Sequence, residues 1–266
     1  MPGEYPSPPM SDLVLSEDRG HVRHVVLNRP EKRNAFHDEL VLATGAALRA
    51  AADDPDVRCV VVRGSGPMFS SGMDLGALAA LAEAPARLRT FRRACLEAWN
   101  LAEEMPKPVI CAIHGACIGG ALELALACDL RVLAADAIVG LPETRVGLIP
   151  DVGGSSRLPQ VVGLGRAKEL IMTGKLIGAE EAERIGLANR VAPADGLDEA
   201  VEQLASELLA CAPTAVALAK RVMDASARPA LSTTLELEVM AQERCTASPE
   251  FAEGVSAFRE KRQPQF

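Results

Sequence analysis

Two apolar runs, residues 59–63, which end on Arg63, and residues 108–113, each break off into a turn rich in glycine. Runs of this length and kind are buried on both faces, as happens in a parallel sheet with helices packed on either side. Parallel neighbours need crossover connections, and those are right-handed, so the two runs confine the chain to layered α/β packing. The flanking sequence agrees. Residues 22–27 read as a strand stopped at Asn28-Arg29-Pro30. Asp38 is placed to cap a helix whose Leu40, Ala43 and Ala47 share one face. A further helix is expected from about Pro85 to Glu104. Residues 115–120 are expected to turn into a helix containing Glu123, and residues 130–134 give another strand.

Beyond about Pro193 the strand signals stop. Leu197, Val201, Leu204 and Leu208 form one helical stripe, and Leu231, Leu235 and Val239 another. A short helical region cannot bury such stripes alone, so they are expected to cover the α/β body, a neighbouring subunit, or both. The division expected is a disordered Pro-rich tail over 1–10, an α/β core over 11–195 and a helical oligomerisation region over 196–266.

A formal charge of −8 and an aromatic content of 3% give no support to nucleic acid as a partner. Residues 109–128 are apolar enough to suggest a membrane span, yet they hold His114, Glu123 and three glycines, which fits a buried core with a functional loop. The seven cysteines are odd in number and scattered, without a CxxC pair, which speaks against a disulfide framework or a zinc site and for a reducing cytoplasm. The start of the chain lacks the basic and apolar segments of a signal peptide.

Among familiar catalytic patterns, HExxH, GxSxG, GxGxxG and the P-loop are all missing. Two glycine-rich turns remain, Phe69-Ser70-Ser71-Gly72-Met73-Asp74 and Ile118-Gly119-Gly120-Ala121-Leu122-Glu123. Glycine allows a backbone to come close to a ligand, and amides at a helix start have no internal partner, so two N–H groups could converge on an oxyanion. Glu123, set among Ala121, Leu122, Leu124 and Ala125, is costly to bury unless it is protonated or paired. A tuned acid or base needs such a setting.

These segments resemble the enoyl-CoA hydratase (crotonase) superfamily. The resemblance runs in order through Asn28-Arg29-Pro30-Glu31-Lys32-Arg33-Asn34-Ala35, the first turn, Lys107-Pro108-Val109-Ile110-Cys111-Ala112-Ile113-His114-Gly115, Gly119-Gly120 with Glu123, Cys128-Asp129, Pro142-Glu143, residues 180–186 and the terminal Phe258-Arg259-Glu260-Lys261-Arg262-Gln263-Pro264-Gln265-Phe266. It implies a spiral of ββα units followed by a helical trimerisation region, assembled as a homotrimer or as two stacked trimers. It also implies an acyl-CoA thioester substrate, with coenzyme A as part of that substrate, no further cofactor and no metal. The Met73 and Gly120 amides would form the oxyanion hole. Ser71, Gly72, Asp74, Leu75 and Gly119 would line the thioester, and Lys261 would either meet coenzyme A phosphates or simply end the chain in solvent. Glu123 would activate water for attack at C3. Glu143, twenty residues later, would exchange the proton at C2 or, on position alone, merely open a helix.

One position departs from the hydratase pattern. Asp151 stands where hydratases carry a small residue, and dienoyl-CoA isomerases carry aspartate there. Asp151 is therefore either a proton carrier of an isomerase or a cap for the helix after it. Hydration of a trans-2-enoyl-CoA is the expected activity, beside dienoyl-CoA isomerisation and noncatalytic acyl-CoA binding on the same fold.

Overall fold

Nine strands, numbered along the chain, make two sheets in the computed structural model, which describes residues 12–84, 87–227, 231–262 and 264–265. The larger sheet sets β1 (Val14–Arg19), β2 (Val22–Leu27), β3 (Cys59–Gly64), β4 (Val109–Ile113), β6 (Leu130–Ala134) and β9 (Arg190–Ala192) side by side in that order. Only β1 and β2 run antiparallel; from β2 onward each pair is parallel, with Val60 opposite Val109 and Ile110 opposite Leu130. The smaller sheet joins β5 (Ala116–Ile118), β7 (Ile138–Gly140) and β8 (Leu176–Gly178).

The apolar runs are buried as their composition demands: every residue of β4 is inaccessible, and Val60, Val61 and Val62 of β3 are fully covered. Strand β1 was not foreseen. Only Val14 in it is buried, so it shows no alternation to read and is held at the sheet edge by ladder bonds to β2.

Short extended pieces after the long strands build the inner layer. Phe36 bridges Met73, Ser70 bridges Cys117, and β5 pairs with β7. Each winding of the chain thus contributes a long strand, a short inner piece and a helix, the ββα spiral that the resemblance implied. Residues 115–120 accordingly hold a strand, β5, before their helix begins. The helices of the body are α1 (Asp38–Asp53), α2 (Leu75–Glu83), α3 (Leu88–Glu104), α4 (Gly120–Ala127), α5 (Gly154–Val162), α6 (Leu164–Thr173) and α7 (Ala179–Arg184).

One expectation needs correction here. Asp38 does not cap α1. The cap position belongs to His37, and the Asp38 carboxylate pairs with Arg87 at 3.0 Å. The helix expected from about Pro85 to Glu104 is α3, and a separate helix not expected, α2, stands before it and ends before Ala84, whose φ of −136° and ψ of 72° are not helical. Proline disfavours helical geometry in the residue before it, and Ala84 precedes Pro85. Residues 85 and 86 themselves, like the expected tail over 1–10, lie outside the described residues.

The C-terminal region is α8 (Leu197–Leu209), α9 (Pro213–Ala227), α10 (Leu231–Thr246) and α11 (Pro249–Glu260). Helix α8 buries Leu197, Val201 and Leu204 against β4 and β6. Lys220 ties α9 down, its Nζ donating to Ala102 O at 2.9 Å, Lys107 O at 3.1 Å and Asp129 Oδ2 at 2.8 Å. Helix α10 rests on α3 and α5, and α11 on α2 and on the 3-10 turn Glu143–Val146. At that last contact a Cβ on Gly254 would come within 2.7 Å of the Val146 carbonyl carbon, so only glycine lets the helix lie this close. No helix among the described residues is long and apolar enough to cross a membrane.

Candidate active site

Asn34 organises the first turn. Buried at a φ of 53°, a left-handed conformation that asparagine tolerates, it accepts Arg29 N–H at 2.8 Å and directs its amide at Ser65 O, Met68 O and Phe69 O at 2.9–3.0 Å. Ser70 Oγ donates to Asn34 O at 2.7 Å and accepts Gly72 N–H at 3.1 Å. Phe36 then exchanges bonds with the residues on either side of Met73: its N–H donates to Gly72 O and its O accepts Asp74 N–H, both at 2.8 Å. The Met73 N–H between them donates to no backbone acceptor among the described residues.

The second turn lies directly against the first. At Gly72, with a φ of 89°, any Cβ would collide with Ile118 O. Gly119, with a φ of 57°, donates to Gly140 O at 2.9 Å, and Gly120 opens α4, where an N–H has no intrahelical partner. A Cβ on Gly120 would sit 3.0 Å from Met73 Sδ. Glycines at these positions therefore let the backbones of the two turns lie close together, with a Cβ on Gly72 only 3.6 Å from Gly120 N.

The other residues expected to line the substrate divide. Ser71, Gly72 and Gly119 belong to these turns, and Leu75 at the start of α2 is half exposed. Asp74 is already committed: Oδ1 caps α2 by accepting Gly76 N–H at 2.8 Å and Ala77 N–H at 3.4 Å, and Oδ2 takes Arg29 at 2.8 Å. Burial opposes its charge, but Arg29 and the two N–H groups prevail and hold its carboxyl below the usual range. Lys261 forms the left-handed end of α11 and is exposed, with no bond from its side chain to either turn among the described residues.

Four carboxyls gather behind the second turn. Glu123, 3% exposed, accepts Val152 N–H at 2.9 Å and Gly154 N–H at 2.8 Å, both on Oε1. Burial pushes its proton affinity well above the ordinary range, the charges of Glu143, Asp151 and Glu238 add to this, and the Gly154 N–H opposes it. Glu143 stands at the start of the 3-10 turn. Its Oε1 lies where a Cβ on Gly119 would come within 2.9 Å, and its Oε2 is buried without a partner. Burial raises its pKa to about 8. Asp151 does not cap α5, because the cap position belongs to Gly153 and no side chain bonds there. Its Oδ2 is buried and accepts no hydrogen bond, lying 3.8 Å from its ion-pair partner Arg92 Nε, and burial raises its pKa to about 7 against the pull of Arg92.

Glu238 of α10 is the fourth, and the sequence reading passed over it. It is 3% exposed, accepts Gly153 N–H at 3.2 Å and lies 3.6 Å from Arg92, while burial pushes its proton affinity up. The signal was available: three residues after Leu235 and one before Val239, Glu238 puts a carboxyl on an apolar stripe, as Glu123 does. Among the described residues no group of three or more His, Cys, Asp or Glu could hold a metal ion.

Backbone amides of two adjoining turns are of the kind that can hold a carbonyl oxygen as it gains negative charge, and buried carboxyls beside them can give and take protons. Comparison with known proteins points the same way. The family model described as Enoyl-CoA hydratase/isomerase matches residues 17–266. The chain is 35% identical over 254 residues to the crotonyl-CoA hydratase of Syntrophomonas wolfei, covering 95% of this chain and 97% of that one. It is 36% identical over 255 residues to an enoyl-CoA isomerase/hydratase of Mycosarcoma maydis, covering 92% of each. The crystal structure of an enoyl-CoA hydratase from Mycobacterium avium subsp. paratuberculosis superposes with a TM-score of 0.86 at 28% identity, over 97% of this chain and 99% of that one.

Proposed function

The chain belongs to the enoyl-CoA hydratase/isomerase family, and on that premise we propose that it hydrates the 2,3 double bond of a trans-2-enoyl-CoA. One observation carries the reading: Glu123 and Glu143 both flank the turn that presents the Gly120 amide, Glu123 one helical turn beyond it and Glu143 against Gly119.

The Met73 and Gly120 N–H groups hold the thioester oxygen and grow stronger as donors while charge builds there, which lowers the barrier rather than merely binding substrate. Water attacks C3 and gives its proton to Glu123, whose raised proton affinity makes it an effective base. Glu143, which keeps its proton up to about pH 8, delivers it to C2. The bonds balance: C3–O, C2–H and the Glu123 O–H form as the C2=C3 π bond, one water O–H and the Glu143 O–H break, and return of a proton from Glu123 to Glu143 restores the starting state. Coenzyme A is part of the substrate, and the other groups in this scheme are the chain's own.

The hydration rate is expected to fall above about pH 8 as Glu143 loses the proton it must donate. The direct test follows the enoyl-thioester absorbance of a short 2-enoyl-CoA with purified protein. Loss of that absorbance, abolished in Glu123→Gln, is expected; no hydration by an intact wild type overturns the reading.

Isomerisation of a 3,5-dienoyl-CoA is favoured by one specific observation, the release of Asp151 from any capping role and its place among the acids. Faster turnover of the dienoyl than of the enoyl substrate would make Asp151 a proton carrier. Assembly into a trimer or hexamer is supported by α9, which leaves Leu218, Val222 and Met223 exposed beside a cavity of about 390 Å³ lined in part by Val216, Ala219 and Met223. Sedimentation showing a 28.1 kDa monomer at micromolar concentration would exclude it.

A further inference from the structure

Helix α10 reaches the site from late in the sequence and grips one loop at two points. Gln242 Oε1 accepts Ile149 N–H at 2.9 Å, and Glu238 Oε2 accepts Gly153 N–H at 3.2 Å. The two side chains lie one helical turn apart, and both are buried. Neighbouring N–H groups of the same loop serve the other side, where Val152 and Gly154 donate to Glu123 Oε1. Residues 149–154 therefore form a bridge between a carboxyl of α4 and two acceptors of α10. Arg92 of α3 completes the clamp by donating to Asp151 O at 2.7 Å and to Leu235 O.

A buried carboxyl at 238 is costly, and an apolar side chain would pack α10 without that cost. Its acceptor, however, is what holds Gly153. That residue has a φ of 114°, open to glycine and to almost nothing else, so its backbone has little intrinsic preference to keep it in place. We propose that Glu238 and Gln242 are positioning residues: by holding residues 149–154 from behind, they keep the Val152 and Gly154 N–H groups on Glu123 and so fix the orientation of its carboxyl toward the reacting water. The proposal deepens the hydratase reading and rests on it only for the kinetic readout.

Charge and hydrogen bonding at 238 can be separated. The groups facing Glu238 are the Arg92 and Arg157 guanidinium groups, the Glu123 and Asp151 carboxyls and the Ser156 hydroxyl. Glu238→Gln keeps an acceptor for Gly153 and removes the charge, whereas Glu238→Ala removes both.

The experiment measures amide hydrogen exchange at Val152 and Gly154 and, separately, kcat and KM on a 2-enoyl-CoA, in the full chain and in Glu238→Ala, Glu238→Gln and Gln242→Ala. Both alanine variants are expected to exchange about tenfold faster or more at these two amides. Their kcat should fall about tenfold or more with KM within about threefold, and Glu238→Gln should recover most of both losses. Wild-type exchange in folded alanine variants overturns the proposal, as does faster exchange with unchanged kcat in an active enzyme. If Glu238→Ala does not fold, Gln242→Ala, which disturbs no charge, decides. A wild type that hydrates nothing defeats the hydratase reading alone, because the exchange comparison needs no substrate.

Discussion

Two sets of buried acids stand close together in this molecule and are treated in opposite ways. Glu103 receives Arg157 through bonds of 2.8 and 2.6 Å to one oxygen, and Asp129 receives Lys220 at 2.8 Å with Val109 N–H at 2.7 Å. Of the guanidinium groups beside Glu123, Glu143, Asp151 and Glu238, Arg92 is 3.6–3.8 Å from two of them and spends its hydrogen bonds on backbone carbonyls, while Arg157, which faces Glu238, is bound to Glu103. The fold is thus able to neutralise a buried carboxylate with a cation and does so away from the turns. Beside the turns protons must do that work, and a proton, unlike a lysine, can be handed to a substrate.

The comparison breaks most sharply at the acids themselves. Glu123→Gln and Glu143→Gln should each lower hydration by about 10²–10⁴-fold, with the double variant little worse than either, because groups acting in one step are not additive. Each should leave the thermal midpoint unchanged or raised, since a neutral amide relieves like-charge crowding. Independent, multiplying losses in steady-state rates would contradict the paired role. Lys220→Met should do the converse. It strands Asp129 without its cation and should cost roughly 3–5 kcal/mol in denaturant unfolding, while the folded protein keeps its kcat. Equal stability losses in Lys220→Met and Glu143→Gln would erase the distinction between the two sets.

Asp151→Asn sharpens it. If Asp151 carries a proton, isomerisation of a 3,5-dienoyl-CoA should drop by roughly a hundredfold or more with hydration far less affected. A loss equal in both reactions would make Asp151 a general support of the site. The smallest effect is on stability against pH. Asp151 and Glu143 hold protons more tightly folded than unfolded, so the stability they contribute is complete below their ordinary values of 3.8 and 4.5 and is lost as pH rises through about 7 and about 8, respectively. Unfolding free energy should decline by on the order of 1 kcal/mol per pH unit across that window, and Glu143→Gln should flatten the slope. A profile that climbs from pH 5 to 8 would contradict the raised affinities.

The long strands were legible because β3 and β4 are apolar on both faces and no other element accommodates that pattern. The two turns and Glu123 were legible because glycine and a carboxyl in apolar company each signal a special backbone or a special charge. Edge strand β1 was not, since an element with one buried residue leaves no periodic trace. Asp74 and Asp38 show the limit at single residues. An acidic side chain before a helix can cap, pair or face a ligand, and only the position of Arg29 or Arg87 decides which. The role of α10 was hidden for another reason: its stripe announced a covering helix, while the loop it grips lies some ninety residues earlier in the chain.

That separation gives the site an order of assembly in time. A chain made from its N-terminus offers both turns, Glu123, Glu143 and the loop that binds Glu123 before α10 exists. Until Glu238 and Gln242 have been synthesised and docked, the nascent chain holds every proton-transferring group of the site without the brace behind them. On the ribosome the fold can therefore precede the enzyme, and the docking of α10 converts one into the other.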